Sequence, residues 1–215
     1  MIKIYAEITI DSTLTTLDNA KLLSLQREIK DRGNIEKPNW GVYSNTGNIE
    51  FIDYSGTFLN YANARLLTSD IPLTLKMMDT ISGKSQSLGD FLTDKWNYDT
   101  YNAKVKVSIK DELTIMQNIW VDKISYDNNL YASEIYDYLK TLTPSSIVIP
   151  ERNSTNIPYP LYSLLDSSNG IKIQYGFMKA DTLWNCWDKL CKLCMMYMFN
   201  DTNANVNFSI DWSAL

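Results

Sequence analysis

The chain has 215 residues, with 20 basic and 25 acidic side chains and a net charge of -5 at pH 7. It contains no histidine, which excludes Ser-His-Asp and Cys-His catalytic units, zincin motifs and an imidazole general base. The acidic balance argues against tight binding to nucleic acid, because such binding needs a surplus of lysine and arginine. Hydrophobic residues make up 45% of the chain, which predicts a folded protein of one large domain or two small ones.

Three cysteines, Cys186, Cys191 and Cys194, lie within one short segment. An odd, clustered set is not a disulfide framework and indicates a reducing cytoplasm. The N-terminal residues alternate between apolar and polar, unlike the apolar core of a signal peptide, and no run of about 18 apolar residues predicts a membrane span. We therefore expect a soluble protein without a membrane segment.

Alternation of apolar and polar residues predicts most of the elements in the first half of the chain. Strands are expected at residues 2–10, 48–54 and 71–78, with a hairpin over 96–109 and a turn at 45–48. Residues 19–32 fit either a helix or a strand, and their periodicity favours the helix. Short helices are predicted at 57–67 and after Asp111-Glu112, the second containing Leu113, Met116 and Trp120.

The second half of the chain has a mixed pattern. Helices are predicted over 132–142, ending before Pro144, and from Asp181 or Thr182 onward. Apolar residues recur along the second helix at intervals of three and four: Leu183, Trp184, Trp187, Leu190, Cys191, Cys194 and Met198. Strands are expected at 147–149, 171–175 and 206–210, with a polar turn at 201–205. The chain thus divides into a β-rich domain, 1–118, and an α+β domain, 119–215.

Two short motifs suggest chemistry but have simpler explanations. Cys191 and Cys194 have the spacing of a zinc or redox motif, yet zinc lacks enough ligands and the pair lies inside an apolar stripe, so we interpret them as small buried hydrophobes. Gly83-Lys84-Ser85 is similar to the end of a phosphate-binding loop. The first glycine of that loop is replaced by Met78, so a polar hairpin loop is the better interpretation.

Acidic and aromatic clusters are weighed in the same way. The carboxylates of Asp111-Glu112, Asp94 and Asp99 could be acid–base pairs, but helix-cap and turn roles fit them better. Trp184 and Trp187 on the last long helix could stack on a ligand, although such a stripe usually belongs to a core. Tyrosines with polar neighbours are compatible with a subunit contact: Tyr126, Tyr131, Tyr136 and Tyr138. We identify no catalytic, metal-binding or cofactor-binding residue.

Several segments together resemble the first domain of phage tail-hub proteins, the baseplate-hub and tail-tip proteins at the distal end of the tail tube. They are the run from Trp40 to Tyr54, the run Gly89-Asp-Phe91-Leu-Thr-Asp94-Lys-Trp96-Asn-Tyr98-Asp99, and Asp111-Glu-Leu113 after the strand that ends at Ile109. The helix from Leu183 to Cys194, followed by the Asn/Asp turn and Val206 to Phe208, is similar to the second domain of these proteins. The helix containing Glu134 to Leu139 has a counterpart there.

The resemblance implies a structural protein rather than an enzyme. Its β-rich α+β fold would comprise a tail-tube-like β-barrel and a smaller mixed domain, with a strand rather than a helix near residues 22–29. Chains of this family form rings, so we expect a homotrimer, or a hexameric ring, that contacts other tail and baseplate proteins. DNA would be only a passenger, repelled by an acidic channel. The protein would belong to the virion tail and be assembled in the cytoplasm of the bacterial host.

Two other functions stay open from the residues alone. A carbohydrate-binding or adsorption module of a tail would expose aromatic side chains as a patch. A hydrolase would bring two carboxylates together in a cleft and raise the pKa of one. Family hubs are longer than this chain, so the chain is expected to be a fragment of a hub or a compact version. The phage type, the neighbouring proteins and the interface residues do not follow from the sequence.

Overall fold

The computed structural model describes residues 2–17, 21–28, 41–122, 130–153, 157, 161–166, 170–173, 180–201 and 205–210. These residues fall into two compact units. The first contains the described residues of 2–28 and 45–112, and the second contains 41–44 and the described residues from 113 onward. The predicted polar turn at 201–205 lies mostly outside the described residues. Within the described ranges, no helix is long and apolar enough to cross a membrane.

A seven-stranded sheet forms most of the first unit. Its strands, in chain order, are β1 (Ile2–Ile10), β2 (Thr13–Leu17), β3 (Lys21–Glu28), β5 (Ser44–Ile52), β6 (Pro72–Asp79), β7 (Ser85–Asp99) and β8 (Lys104–Lys110), while β4 (Gly41–Val42) belongs to the second unit. The order across the sheet is β2-β1-β6-β7-β8-β5-β3. The predicted β-rich α+β class is confirmed. The predicted closed barrel is not, because the described ladders leave β2 and β3 at opposite ends of the strand order.

One face of the sheet carries the apolar core of this unit. Alternate residues of β8, Val105, Val107 and Ile109, are buried, while Lys104 and Lys106 lie on the opposite face. The core continues through the other strands and the helix α1 (Thr57–Asn63), and its buried members are Ala6, Ile8, Ile10, Leu17, Ile49, Phe51, Phe58, Leu73, Leu75 and Phe91. Helix α1 is shorter than the predicted 57–67, since Arg65 adopts a positive φ of 57° directly after its C-cap.

The second unit has a core of its own around two helices. The predicted helix at 132–142 is confirmed as α2 (Ala132–Leu142), and the last long helix is α4 (Leu183–Leu193), which begins after Thr182. Thr182 Oγ1 accepts a hydrogen bond from Asn185 N at 3.3 Å, as expected of an N-cap threonine. The remaining elements are short: a 3₁₀ helix (Glu112–Asn118), β9 (Trp120–Val121), β10 (Leu130–Tyr131), α3 (Leu161–Leu164), β11 (Lys172–Ile173), β12 (Asp181–Thr182), β13 (Tyr197–Asn200) and β14 (Val206–Ser209).

A short parallel pairing links distant parts of the second unit. β4 pairs with β13, which in turn pairs antiparallel with β14. Asp188 on α4 supports this contact, because its Oδ1 accepts a hydrogen bond from Val42 N at 3.3 Å and its Oδ2 accepts one from Lys192 Nζ at 2.6 Å. A Cβ atom at Gly41 would collide with the Asp188 carboxylate. Glycine is therefore required for the close approach of strand and helix.

Several sequence predictions are wrong in identifiable ways. The predicted turn at 45–48 lies inside β5. Gly47 and Asn48 pair with the neighbouring strand β8 and do not reverse the chain. Residues 21–28 form a strand, as the family resemblance implies and against the periodicity; 19, 20 and 29–32 lie outside the described residues. Residues 147–149 form no strand, although Ile147 and Ile149 are buried.

Two predicted helix residues also occupy other elements. Met198 lies in β13 rather than α4, since the helix ends at Leu193 and Met195 turns the chain with a φ of 52°. Trp120 lies in β9 and is 65% exposed, so it is not part of the short helix that buries Leu113 and Met116. The predicted strand at 206–210 is confirmed as β14, and that at 171–175 only for Lys172–Ile173 within the described residues.

Candidate functional site

Two residues of the segments that carry the resemblance, Asp53 and Tyr98, meet at a buried carboxylate. Asp53 follows β5, and its Oδ2 accepts hydrogen bonds from the backbone N–H of Phe58 at 2.9 Å and of Leu59 at 3.0 Å. The same oxygen accepts a hydrogen bond from Tyr98 Oη at 3.3 Å, while Oδ1 accepts one from the Ser55 hydroxyl at 3.2 Å. A carboxylate here satisfies amides of the first helical turn that have no partner within the helix. Asp53 thus joins the end of β5, the start of α1 and β7.

The rings around this carboxylate pack on the helix. Phe58 contacts Phe51 edge-on at a centroid distance of 4.8 Å and stacks on Trp96 at 5.9 Å. Desolvation, and then the Asp53 carboxylate, raise the pKa of Tyr98 above its ordinary value. The Tyr98 phenol therefore stays protonated at neutral pH and acts as a donor to Asp53.

A second contact point is the backbone carbonyl of Thr68, in the connection between α1 and β6. It accepts hydrogen bonds from Trp96 Nε1 at 2.9 Å and from Thr93 Oγ1 at 3.1 Å. The Thr93 hydroxyl in turn accepts a hydrogen bond from Ile71 N at 3.1 Å. Two side chains of β7 therefore fix the path of the connection that leads into β6.

The remaining motif residues shape β7 itself. The register between β6 and β7 shifts after Leu75, opposite Gly89, which has a φ of 138°. That φ favours glycine, and a Cβ at Gly89 would lie 3.0 Å from the Phe91 ring. At the other end of β7, Asp99 accepts hydrogen bonds from Tyr101 N at 3.0 Å and Asn102 Nδ2 at 2.6 Å, and these bonds, that of the Asn102 side chain foremost, lower its pKa. Asp99 therefore fixes the turn into β8, as the predicted hairpin requires.

The strand at one end of the sheet order, β2, was not predicted by the sequence analysis. This strand pairs antiparallel with β1 without a register shift, from Ala6↔Leu17 to Ile10↔Thr13. The reversal between the two strands uses Asp11 and Ser12, both with positive φ, as in a two-residue hairpin. The three β-branched threonines in Thr13–Leu17 were the available signal, but Asp-Ser is a weaker hairpin sequence than Asn-Gly.

A pocket of about 190 Å³ lies beside β2. Its lining comes from the end of that strand and from the corner between β5 and α1: Thr15, Thr16, Leu17, Phe51, Ile52, Asp53, Tyr54, Ser55, Thr57 and Phe58. The buried side chains of Leu17, Phe51 and Phe58 contribute apolar surface. The lining includes neither lysine nor arginine, so the pocket does not suit an anionic ligand.

The cysteines behave as the sequence analysis predicted. Cys186, Cys191 and Cys194 are all fully buried in the core of the second unit. Burial raises the pKa of Cys186 to about 11 and that of Cys194 to about 12, and raises the pKa of Cys191 as well. Thiols with raised pKa values are poor nucleophiles and poor metal ligands at neutral pH. Among the described residues, no cluster of three or more His, Cys, Asp or Glu side chains could hold a metal ion.

The other polar candidates have structural positions too. Gly83 and Lys84 lie in the exposed turn between β6 and β7, and a strand rather than a helix begins at Ser85, as the hairpin-loop interpretation predicted. Asp94 forms an ion pair with Lys110 at 3.5 Å. Asp111 is buried, and its Oδ2 accepts a hydrogen bond from Asn45 N at 2.6 Å, which ties β5 to the end of β8.

The aromatic candidates divide between core and surface. Trp187 is fully buried, contacts Tyr136 edge-on at 5.2 Å and donates a hydrogen bond to Thr143 Oγ1 at 3.1 Å; Trp184 is partly buried against the same core. Tyr136 belongs to this core as well and is fully buried, so it is not exposed for a subunit contact. Tyr131 is half-buried at the start of α2, and Tyr138 is 42% exposed. Tyr126 lies outside the described residues.

The chain was compared with protein families, curated proteins and solved structures, and only solved structures match it. No family model and no curated protein matches the chain. Among solved structures, a 43 kDa tail protein of prophage MuSo2 from Shewanella oneidensis aligns with 12% identity and a TM-score of 0.47, over 97% of this chain and 55% of that one. A tail protein from Neisseria meningitidis MC58 aligns with 8% identity and a TM-score of 0.49, over 98% and 52%.

The chain spans about half the length of both structures. Both are described as tail proteins.

Proposed function

We propose that this chain is a structural component of a bacteriophage or phage-like tail, forming a ring at the distal end of the tail tube. One observation carries the proposal: the side chains that make the chain resemble tail hubs are the same ones that hold its sheet together. The polar groups of four such residues form hydrogen bonds within their own unit: Asp53, Trp96, Tyr98 and Asp99. Such a motif maintains a fold rather than a reaction.

The proposal assigns the chain no catalytic activity and no cofactor. Three carboxylates in or beside the motif are engaged in structural contacts: Asp53 with the amides of α1, Asp94 with Lys110 and Asp99 with its turn. Burial, and then Asp90, raise the pKa of Glu112. The cysteine thiols are buried with raised pKa values. The three carboxylates and the thiols lack the accessible, activated state that nucleophilic catalysis requires.

The assembly follows from the expected place in the tail. A homotrimer is the preferred state and a hexameric ring is the variant, with other tail and baseplate proteins above and below. The ring would be a closed cyclic assembly, in which each copy presents one surface to a different surface of the next. The protein would act in the virion tail after assembly in the host cytoplasm.

DNA would pass this ring without adhering to it. The net charge of -5 supports this part of the proposal, because phosphate is repelled on average. On the sheet face opposite the core, lysines are paired with carboxylates: Lys76 with Glu7 at 2.7 Å, and Lys104 with Glu50 at 3.0 Å. These pairs contribute no net charge, so the acidic surplus of the chain lies outside them.

A carbohydrate-binding or adsorption module is the second candidate, and one observation favours it. Tyr54 and Tyr101 are 78% and 94% exposed on two neighbouring loops, which are joined by a hydrogen bond from Asp53 N to Ala103 O at 2.8 Å. Exposed aromatic rings on a fixed loop pair can stack on a sugar. If this role is correct, Tyr101→Ala abolishes binding of the protein to host-cell glycans and leaves its oligomeric state unchanged.

Electron microscopy of the purified full-length chain tests the structural role. Class averages of negatively stained particles should show rings with threefold or sixfold symmetry and a central opening. Grids that show only single chains would contradict the ring, provided that light scattering at a higher protein concentration also detects only single chains.

A further inference from the structure

The pocket beside β2 has an apolar part and a hydroxyl-bearing part. Three buried side chains form the apolar part: Leu17, Phe51 and Phe58. Four others bring hydroxyl groups to the lining: Thr15, Thr16, Ser55 and Thr57. Small-molecule sites typically combine apolar walls with a few placed polar groups, which fix the orientation of the ligand. The lining therefore suits a small ligand that has both C–H faces and hydroxyl groups.

Asp53 provides the charge of this lining, which includes no lysine or arginine. Within the described residues, its Oδ2 accepts three hydrogen bonds, whereas its Oδ1 accepts one, from the Ser55 hydroxyl. A carboxylate oxygen can accept two, so Oδ1 can accept one more from a ligand. A hydroxyl group can donate that bond, while an anion would be repelled by the carboxylate. We therefore expect an uncharged ligand that is rich in hydroxyl groups.

The rim of the pocket carries an exposed aromatic ring. Tyr54 lines the pocket and is 78% exposed. The backbone on both sides of it is anchored, because Asp53 N donates a hydrogen bond to Ala103 O at 2.8 Å and Gly56 N donates one to Asp53 O at 3.3 Å. A preformed wall lowers the entropic cost of binding, since few groups must be ordered when the ligand arrives. The flat Tyr54 ring can stack on the C–H face of a sugar.

We propose that this pocket binds one neutral pyranose unit of a glycan, with Tyr54 stacked on the sugar ring and the lining hydroxyls and Asp53 Oδ1 bonded to the sugar hydroxyls. The volume of about 190 Å³ is below the ~300–1,000 Å³ of clefts that hold drug-sized ligands, so the pocket admits a single ring. The site goes beyond the proposed ring, since it needs only one copy of the chain. It also gives the second candidate function a pocket in addition to the exposed Tyr101 ring.

Titration of the ¹⁵N-labelled full-length protein with methyl glycosides, followed by two-dimensional NMR, tests the site. The probes are the methyl pyranosides of glucose, galactose, mannose and N-acetylglucosamine, with N-acetylneuraminic acid as the anionic control. At least one neutral probe should shift the amide signals of residues 15–17 and 51–58 saturably, with a millimolar dissociation constant. Shifts confined to other residues, no saturable shift with any neutral probe, or an equal response to the anionic sugar would overturn the inference.

Substitutions in the lining provide the second test. Tyr54→Ala should weaken pyranose binding about tenfold through the loss of stacking, while Tyr54→Phe keeps the ring and should bind like wild type. Thr16→Val removes one lining hydroxyl and should weaken binding about threefold. Thr13→Val is the matched control, because Thr13 is exposed on the same strand but does not line the pocket. If Tyr54→Ala binds as tightly as wild type, the inference is wrong.

The outcomes for the pocket and for the proposed functions can be told apart. Tyr101 is not part of the lining, so Tyr101→Ala should leave the affinity for a single pyranose unchanged. If Tyr101→Ala alone removes pyranose binding, the pocket is not the site. An assembled ring that binds no pyranose would overturn the site and leave the ring standing. A monomer that binds a pyranose in the pocket would support the site and contradict the ring.

Discussion

At the scale of single residues, the buried carboxylate of Asp53 stabilises the first unit by accepting four hydrogen bonds. Asp53→Ala removes the acceptor of two backbone amides of α1 and of the Tyr98 hydroxyl. We therefore expect the free energy of unfolding to fall by about 1–3 kcal/mol. Tyr98→Phe removes a single bond of 3.3 Å and should cost about 0.5–1.5 kcal/mol. Urea denaturation followed by tryptophan fluorescence measures both. Asp122→Ala, at an exposed aspartate, is the control, and an equal effect there would contradict the assignment.

The other residue-scale prediction concerns pH. Asp181 accepts hydrogen bonds from Asn185 Nδ2 and Lys189 Nζ, both at 2.7 Å, and these contacts, that of Asn185 foremost, lower its pKa from 3.8 to about 2. Because the pKa is lower in the folded state, the stabilisation is present above pH 3.8 and is lost as the pH falls to about 2. Asp181→Asn should therefore be less stable than wild type at neutral pH, and the difference should shrink through this range in thermal unfolding. A difference that does not change with pH would contradict the shift.

At the scale of elements, Gly47 sets the distance between β5 and β3. A Cβ at Gly47 would lie 2.7 Å from the backbone oxygen of Ser24 and 3.2 Å from Ile109 Cγ1. Gly47→Ala should therefore weaken the outer ladder and lower the stability by about 1–3 kcal/mol, as other overpacking changes do. Thr46→Ala, at the preceding residue of the same strand, should have a much smaller effect on the unfolding midpoint. Equal midpoints for the two variants would show that β3 can move away without cost.

The C-terminus of α4 allows a stabilising change. Met195 follows the C-cap with a φ of 52°, a conformation that is unfavourable for a side chain, and it is 53% exposed. Met195→Gly should raise the unfolding free energy by about 0.5–1 kcal/mol, because glycine adopts this φ without strain. Met195→Ala keeps the Cβ and separates this effect from the loss of the side chain. If both variants change the melting temperature equally, backbone strain is not the cause.

The sequence predicted those elements whose signal is local. Alternation in Lys104–Lys110 and the helical spacing with a threonine cap before α4 specify strand and helix by themselves. The turn predicted at 45–48 failed because Gly47 and Asn48 meet a distant strand: Asn48 Nδ2 donates a hydrogen bond to Ser24 Oγ at 3.1 Å. Local propensity cannot distinguish a glycine that turns the chain from one that admits a neighbouring backbone.

The candidate site was predictable only in part, for a similar reason. The motif from Gly89 to Asp99 could be recognised along the chain, but its partners, the Asp53 carboxylate and the Thr68 carbonyl, are 45 and 28 residues away from Tyr98 and Trp96. Backbone carbonyls carry no sequence signal at all. The edge strand β2 was missed because its hairpin uses Asp11 and Ser12 rather than a stronger turn sequence.

At the scale of the whole molecule, two apolar cores explain why distant residues fold together. β4 pairs with β13 although more than 150 residues separate them along the chain, and it belongs to the second unit. The predicted division at residue 118 placed β4 in the first domain. The sequence could not show otherwise, because a parallel pair of two residues leaves no pattern in it. The ring proposed for the chain requires contacts between copies in addition to these two cores. Assembly is therefore the property that tests the proposed function most directly.

The mass of the intact protein in native conditions tests the ring most directly. We expect a species of about 74 kDa, three times the 24.7 kDa of the chain, or of about 148 kDa for a hexamer, at micromolar concentrations of the full-length protein. The mass should fall to that of one chain on dilution. A single species of 24.7 kDa at every concentration tested would contradict the account.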